Sequence, residues 1–234
     1  MPVVVKDVLY RATVILQDSA TVRWPLPELA VWVLDGAKEI ALNQPSAAAV
    51  TIAVNLIAGT RQYVDATLYQ AMMRVDRNLK VDGTGDKVIR PTTKSVMDTQ
   101  NPHWHNGAKV PFTALVEHVI IDVIDPMSFY VYPGNTGTGR IECVMSKIPV
   151  LTGTPTDPND IDSYSAVTVP LISVWQSALV DYVLYRAFNK DSQLAGSEQR
   201  AAAHFGQFVA AMNARQQANQ VANPNMGATQ PKSS

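Results

Sequence analysis

Residues 179–212, "LVDYVLYRAFNKDSQLAGSEQRAAAHFGQFVAAM", decide how this chain folds, because they predict two helices joined by a short break. Gly196 interrupts the helical pattern. Ser197 followed by Glu198 is typical of a new helix start, where a serine caps the backbone and a carboxylate meets the positive end of the helix dipole. Apolar residues recur at helical spacing on both sides of the break. They are Leu171, Val174, Trp175, Ala178, Leu179, Tyr182 and Tyr185 before it, and Ala201, Phe205, Phe208, Val209 and Met212 after it.

A second pair of helices is predicted at the start of the chain. Residues 3–17 carry apolar side chains at helical spacing. A longer pattern begins after Pro27, which suits a first helical turn, and Pro45 ends it. Its apolar positions are Leu29, Trp32, Val33, Gly36, Ala37 and Ile40.

Between the helix pairs the pattern changes to short β-branched runs, which predict strands. Residues 48–63 indicate a hairpin that turns at Gly59. Residues 66–79 fit a helix or a strand, and we favour the strand. Further strands are predicted on both sides of the Asp125–Pro126 turn and after a glycine-rich loop at 134–139, before a polar connector at 152–163.

The sequence therefore predicts an α+β protein. Neither helix pair can bury its apolar stripe alone, so we expect residues 1–46 and 165–213 to form a four-helix bundle domain. Residues 47–164 become an inserted β-rich domain, and residues 214–234 a flexible C-terminal tail, because they are rich in Asn and Gln and lack aromatic side chains. The expected structural core includes Trp32, Trp175, Phe205 and Phe208.

The composition bounds the function. The 234 residues include 19 Lys and Arg and 20 Asp and Glu, a net charge of −1, which argues against binding nucleic acid through a broad basic face. A single cysteine allows no intrachain disulfide, as is usual for cytosolic folding. No apolar run approaches the ~20 residues of a membrane span. The N-terminus does not indicate a signal peptide, and we expect a soluble protein.

Residues 101–107, "NPHWHNG", are the best candidate for a metal site, since His103 and His105 face the same side of an extended segment. A functional zinc or iron site needs at least three ligands, and no third lies at a recognisable spacing. Asn101–Pro102 and Asn106–Gly107 are turn dipeptides. We therefore favour a structural turn anchored by Trp104, with no metal and no cofactor.

Other catalytic patterns fail as well. No serine lies in a G-x-S-x-G elbow. The glycines of residues 134–140 lack the G-K-[ST] ending of a phosphate loop and precede a strand, so a flexible loop tip is the better interpretation. Cys143 is expected to fill a core, and Phe129, Tyr130 and Tyr132 to pack within a strand. The sequence does not predict an enzyme.

Four stretches, in order, resemble the head-to-tail adaptor (connector) proteins of tailed bacteriophages over residues 8–213. They are "WPLPELAVWVLDGAKEIALNQP" at 24–45, "GTRQ" at 59–62, "NPHWHNG" with "DPMSFYVYP" at 101–107 and 125–133, and the stretch at 179–212 quoted above. The last is the most specific, with a helix ending "YRAFNKD", a glycine turn and an alanine-rich helix with aromatic anchors.

The resemblance implies a structural virion protein of the neck, between capsid and tail, assembled in the cytoplasm of the host bacterium. Such adaptors form a ring, usually a dodecamer, that binds the portal protein, receives the tail or nozzle proteins and leaves a channel through which double-stranded DNA passes without being read. Viral genome ejection uses that channel, and no membrane binding is implied. Two alternatives stay open: another neck or tail protein of a phage, and, more distantly, a metal-dependent enzyme using His103 and His105.

The polar tail is the candidate portal-binding segment. Its root is held by the preceding helix, its charged side chains are positive, and a ring of weakly binding copies gains from effective concentration. The residues expected to carry this contact are Arg215, Gln216, Gln220, Val221, Met226 and Lys232. The competing interpretation is a solvated terminus with no role.

Overall fold

The structure, a computed structural model, describes residues 1–121, 125, 127–191 and 195–221, with side chains up to residue 218. The described residues form five α-helices: α1 (Val5–Leu16), α2 (Leu26–Asn43), α3 (Lys94–Gln100), α4 (Gln176–Lys190) and α5 (Ser197–Val221). They also form short 3-10 turns at Pro45–Ala48, Ile161–Ala166 and Ser173–Trp175.

Ten strands accompany the helices, so the predicted α+β class is confirmed. They are β1 (Pro2–Val4), β2 (Ala49–Asn55), β3 (Ala58–Tyr63), β4 (Tyr69–Leu79), β5 (Gly85–Val88), β6 (Arg90–Pro91), β7 (His118–Ile121), β8 (Ser128–Thr136), β9 (Arg140–Lys147) and β10 (Thr168–Ile172). The strand interpretation of residues 66–79 is right, and β4 is the longest strand of the described chain.

The chain divides into two units, a helical unit of residues 1–47 and those from 149 onward, and a β unit of residues 48–148. Residues 149–164, which include the polar connector and which the sequence assigned to the β-rich domain, lie in the helical unit. The 3-10 turn at Ile161–Ala166 packs on α1, and Lys6 Nζ lies 2.7 Å from Asp162 Oδ1. Thr152 also pairs with Thr168 at the start of β10. The polar composition does not predict these contacts, because they rest on backbone groups, one ion pair and the buried ring of Tyr164.

In the helical unit α4 packs against α1, α2 and α5. Trp32, Trp175 and Phe208 are all buried. The approach of α4 to α2 is close at Gly36, where an added Cβ would lie 2.9 Å from Tyr182 Cδ1. Any larger residue at this position would push the two helices apart.

The predicted start of the third long helix is wrong. Leu171 lies in β10, which pairs with β1, and Val174 is exposed in a 3-10 turn before α4. Thr168, Val169 and Ile172 are β-branched and Pro170 has no amide to donate, so this segment suits a short edge strand better than a helix.

The core assignment of Phe205 is also wrong, because 43% of its surface is exposed. α5 packs chiefly on α4, so only a narrow stripe of the helix is covered. Phe208 lies in that stripe, while Phe205 lies beside it and touches Tyr185 with ring centroids 4.9 Å apart.

The β unit contains two four-stranded sheets. The first has the order β2-β9-β4-β5 and is antiparallel throughout; the second has the order β3-β8-β7-β6 and ends in a parallel pair. The predicted hairpin at 48–63 is therefore wrong, since β2 and β3 belong to different sheets. Each instead pairs with one arm of the β8–β9 connection, and the Gln62 side chain bonds the backbone of Ile57 and Gly59 between them.

The predicted end of the last helix near Asn213 is wrong as well. α5 continues to Val221, because residues 214–221 contain no Gly or Pro, so nothing in them breaks a helix. The first eight residues of the predicted flexible tail are thus helical, and residues 222–234 lie outside the described residues. Ser197 is the first residue of α5 rather than its cap.

Candidate functional site

The "NPHWHNG" segment is a turn, as predicted, and Trp104 anchors it. The indole is fully buried between Met97 and Ile120 and meets Tyr130 edge-on. Its Nε1 donates a hydrogen bond of 2.9 Å to Asp98 Oδ1 on α3. The tryptophan therefore attaches the turn and α3 to the second sheet.

The two histidines have different surroundings. Both residues are exposed, but the ring of His105 lies tilted against Trp104 with ring centroids 3.6 Å apart, and its Nδ1 lies 2.7 Å from Thr60 Oγ1 on β3. Partial burial lowers the pKa of His105, the positive charge of Lys94 lowers it further, and Asp98 opposes the shift. In the part of the chain that the structure describes, no group of three His, Cys, Asp or Glu side chains is placed to hold a metal ion.

The glycine-rich connection between β8 and β9 is held by one buried amide. Asn135 Oδ1 accepts hydrogen bonds from the amides of Gly137 and Gly139 at 2.8 and 3.0 Å, and its Nδ2 donates to the Ala114 carbonyl at 3.0 Å. A Cβ at Gly139 would lie 2.3 Å from that carbonyl oxygen, so only glycine fits. The amides that a phosphate loop would offer to a ligand are thus bonded to a side chain.

A second buried amide, Asn78, performs the same task between distant segments. Its Nδ2 donates to the carbonyls of Lys87 and Val116, and its Oδ1 accepts from the Val116 amide at 2.8 Å. Sequence reasoning missed Asn78 and Asn135. For Asn135 the available signal was an uncharged amide beside a glycine in a strand without charges, where a side chain that can both donate and accept suits irregular backbone. Asn78 follows Arg74, Asp76 and Arg77 in β4, so its strand gave no such signal.

The remaining candidates of the β unit are structural. Cys143 is fully buried in β9, and burial raises its pKa to about 12, which leaves no thiolate for nucleophilic chemistry. Phe129 is buried in β8, and the rings of Tyr130 and Tyr132 pack against the cluster around Trp104.

The helical unit carries an exposed apolar groove that the sequence analysis overlooked. Tyr10, Val14 and Ile15 of α1 expose about half of their surface or more, and with Val180 and Asp181 of α4 they line a groove of about 360 Å³. The signal was present in α1, which has apolar residues on both faces. Exposed apolar surface of this kind is typical of sites where proteins meet.

The structure describes only part of the expected portal-binding set. Arg215 is half-buried and Gln216 is exposed on the last turns of α5. Gln220 and Val221 lie in the helix without described side chains, and Met226 and Lys232 lie outside the described residues. Among the helices that the structure describes, none is long and apolar enough to cross a membrane.

A two-unit α+β chain whose conspicuous polar groups bond its own backbone, and whose helical unit exposes an apolar groove, has the features of a protein that works through assembly. The comparison with protein families agrees. The chain belongs to the SU10 adaptor protein family, whose model matches residues 5–229 and so covers both units. This is a family of structural phage adaptors, not an enzyme class. No curated protein gave a significant match.

Proposed function

We propose that this chain is a head-to-tail adaptor of a tailed phage, forming a ring of twelve copies between the portal and the tail and leaving a channel for the genome. The observation that carries the proposal is the family match over residues 5–229, which spans nearly the whole chain. The helical unit, organised by α4 at the centre of α1, α2 and α5, serves as the rigid body of each subunit, a four-helix bundle.

Cryo-electron microscopy of the native neck tests the proposal directly. We expect twelve copies in one ring, in contact with the portal on one side and a tail or nozzle protein on the other. A ring elsewhere in the tail would favour another neck or tail protein, and a chain that is not part of the particle would overturn the proposal.

The end of the chain is the proposed portal contact. Residues 214–221 extend α5 by two turns beyond the buried Met212, so each subunit holds the root of its tail at a defined place. Two truncations separate the parts of this contact. A chain ending at Asn213 loses every expected contact residue, whereas a chain ending at Val221 keeps Arg215, Gln216, Gln220 and Val221.

We expect both truncated chains to melt within a few degrees of the parent, because Phe208 and Met212 stay in place. The chain ending at Asn213 should attach poorly to portal-bearing capsids, and the chain ending at Val221 shows whether Met226 and Lys232 are also needed. If both attach as well as the parent, the tail is a solvated terminus and the portal contact lies elsewhere.

The channel should pass DNA without reading it. A net charge of −1 gives no broad excess of cations for phosphate contacts, and weak contact suits a genome in transit. In a gel-shift assay the assembled ring should show no sequence-specific retention of a DNA duplex. Tight, sequence-dependent binding that weakens steeply with salt would contradict this role.

A further inference from the structure

β2 is an edge strand without the protection that edges usually carry. In the part of the chain that the structure describes it pairs only with β9, through seven consecutive residue pairs without a bulge. Its sequence, "AVTIAVN", has no charge and no proline. Natural sheets protect long edges with charges, prolines or bulges because a bare edge pairs with another strand.

The free side of β2 presents a regular row of backbone groups. The amide of Leu56 bonds the Gly139 carbonyl, and backbone groups alternate along a strand, so Thr51 and Ala53 turn theirs away from β9. On the core side, Val50, Ile52 and Val54 are only partly buried, although they pack against the core of the β unit. A further strand beside β2 would cover them.

The other edges of the β unit are different. β6 has two residues and contains Pro91, and β3 carries Arg61 and an irregularity after Gly59. β5, at the far end of the sheet that contains β2, is short, and all four of its residues are exposed. The amide of Ile89 bonds the Asp76 carbonyl and the carbonyl of Lys87 accepts from Asn78, so Val88 between them turns its backbone outward.

The directions of the strands determine which edge strands of two neighbouring copies can pair. In β2-β9-β4-β5 every neighbouring pair is antiparallel, so the two edge strands run in opposite directions. Rotation about a ring axis carries each copy's sheet into the next, and β5 of one copy then meets β2 of the next in an antiparallel pair. In the other sheet β6 and β7 are parallel, so its edges β3 and β6 run the same way and would not meet in this manner.

On the solvent face the side chains agree with this pairing. Ala53, Glu142, Arg77 and Val88 form one row across the sheet on its solvent face, with an ion pair of 2.8 Å between Arg77 and Glu142. Continuing this row places Val88 beside Ala53 of the next copy. Both residues turn their backbone groups towards the junction and their side chains towards solvent. Val50, Ile52 and Val54 of β2 therefore stay on the core face.

We propose that β5 of one subunit pairs antiparallel with β2 of its neighbour, joining the β units into one continuous sheet around the ring. The inference rests on the proposed ring. The junction is short, because β5 offers four residues, so a single contact is weak and ring closure holds the contacts together.

Cysteine cross-linking in assembled rings, on purified full-length chain or on portal-bearing capsids, tests the junction. The double variant Ala53→Cys/Val88→Cys should give a ladder of covalent oligomers under oxidising conditions, since opposed residues in paired strands lie within disulfide range. Thr51→Cys/Val88→Cys tests the register shifted by two residues. The buried Cys143 serves as an internal control, and the parent chain should stay monomeric on a denaturing gel.

Each single variant should give no ladder. A covalent dimer from Ala53→Cys alone would show that two β2 edges meet and would overturn the proposal. Intact rings without a ladder in either double variant would also overturn it while leaving the ring in place. Failure to form rings under any of these conditions would instead contradict the proposed function.

Discussion

The two units of this chain hold themselves together in different ways. The helical unit buries interlocking apolar side chains, among them Leu29, Ile40, Trp175 and Leu179. The β unit also has an apolar core, but its irregular segments are attached by buried amides, Gln62, Asn78 and Asn135, each bonded to backbone groups. Burial of apolar area is tolerant of detail, whereas a buried amide requires its partners in place. The helical unit should therefore respond to changes of volume and the β unit to changes of hydrogen bonding.

The largest effect is expected from truncating a buried aromatic of the helical unit. Phe208→Ala removes a fully buried ring that meets Tyr182 at 5.1 Å, and should lower the free energy of unfolding by about 3–5 kcal/mol. Phe205→Ala, one turn earlier on the same helix, is the matched control and should cost about 1 kcal/mol or less because the ring is already exposed. Urea denaturation followed by circular dichroism measures both. Equal losses would show that α5 buries a wider face than the structure has.

In the β unit the corresponding substitution is Asn135→Ala, which removes a buried amide side chain. The change leaves the amides of Gly137 and Gly139 and the carbonyl of Ala114 without their side-chain partner, and we expect a loss of about 2–4 kcal/mol. Asn43→Ala removes an amide from the exposed end of α2 and should change stability by about 0.5 kcal/mol or less. If the two asparagine variants unfold alike, buried amides do not stabilise the β unit.

This contrast also explains what could be predicted from the sequence. A helix repeats its apolar spacing over many residues, so α1, α2 and most of α4 and α5 could be predicted from the sequence. Most strands could also be predicted, but their pairing could not. β2 pairs with β9, about ninety positions away, and no local sequence pattern indicates which strand is the partner. Asn78 was missed for the same reason, since it bonds Val116, which lies 38 positions further along. The assignment of Phe205 to the core was wrong because apolar periodicity shows which face of a helix packs, but not how much of that face a neighbouring helix covers.

A smaller loss of stability is expected from substitutions of Trp104 and of its hydrogen-bond partner Asp98. Trp104→Phe keeps most of the apolar volume but removes the donor to Asp98 Oδ1, and should cost about 1–2 kcal/mol. Asp98→Asn retains a side-chain oxygen that can accept the same bond and should cost less. Thermal unfolding followed by circular dichroism compares the two. A larger loss in Asp98→Asn would mean that the carboxylate stabilises α3 through Lys94 rather than the turn through Trp104.

The smallest expected effect is a pH dependence that comes from His105. Burial against Trp104 and the nearby Lys94 lower the pKa of His105 below its ordinary value of 6.5, so the folded chain binds a proton less readily than the unfolded chain. Between the lowered pKa and 6.5 the unfolded state holds more protons, and the free energy of unfolding rises with pH. The contribution of the neutral ring is thus complete above about pH 6.5 and is lost as the pH falls through the lowered pKa. Carboxylates such as Asp98, whose pKa is lowered by its bonds to Lys94 and Trp104, titrate below this window.

Urea denaturation of the parent and of His105→Gln between pH 5 and pH 7.5 isolates this contribution, because glutamine does not titrate. The stability of the parent should rise more steeply with pH than that of the variant. His103→Gln is the matched control: it also removes an exposed histidine from the turn, but leaves the contacts of His105 with Trp104 and Thr60 in place. The free energy of unfolding of His103→Gln should change with pH as steeply as that of the parent. Equal pH dependence for the parent and His105→Gln would instead show that the contacts of His105 do not shift its pKa, and that Trp104 alone anchors the turn.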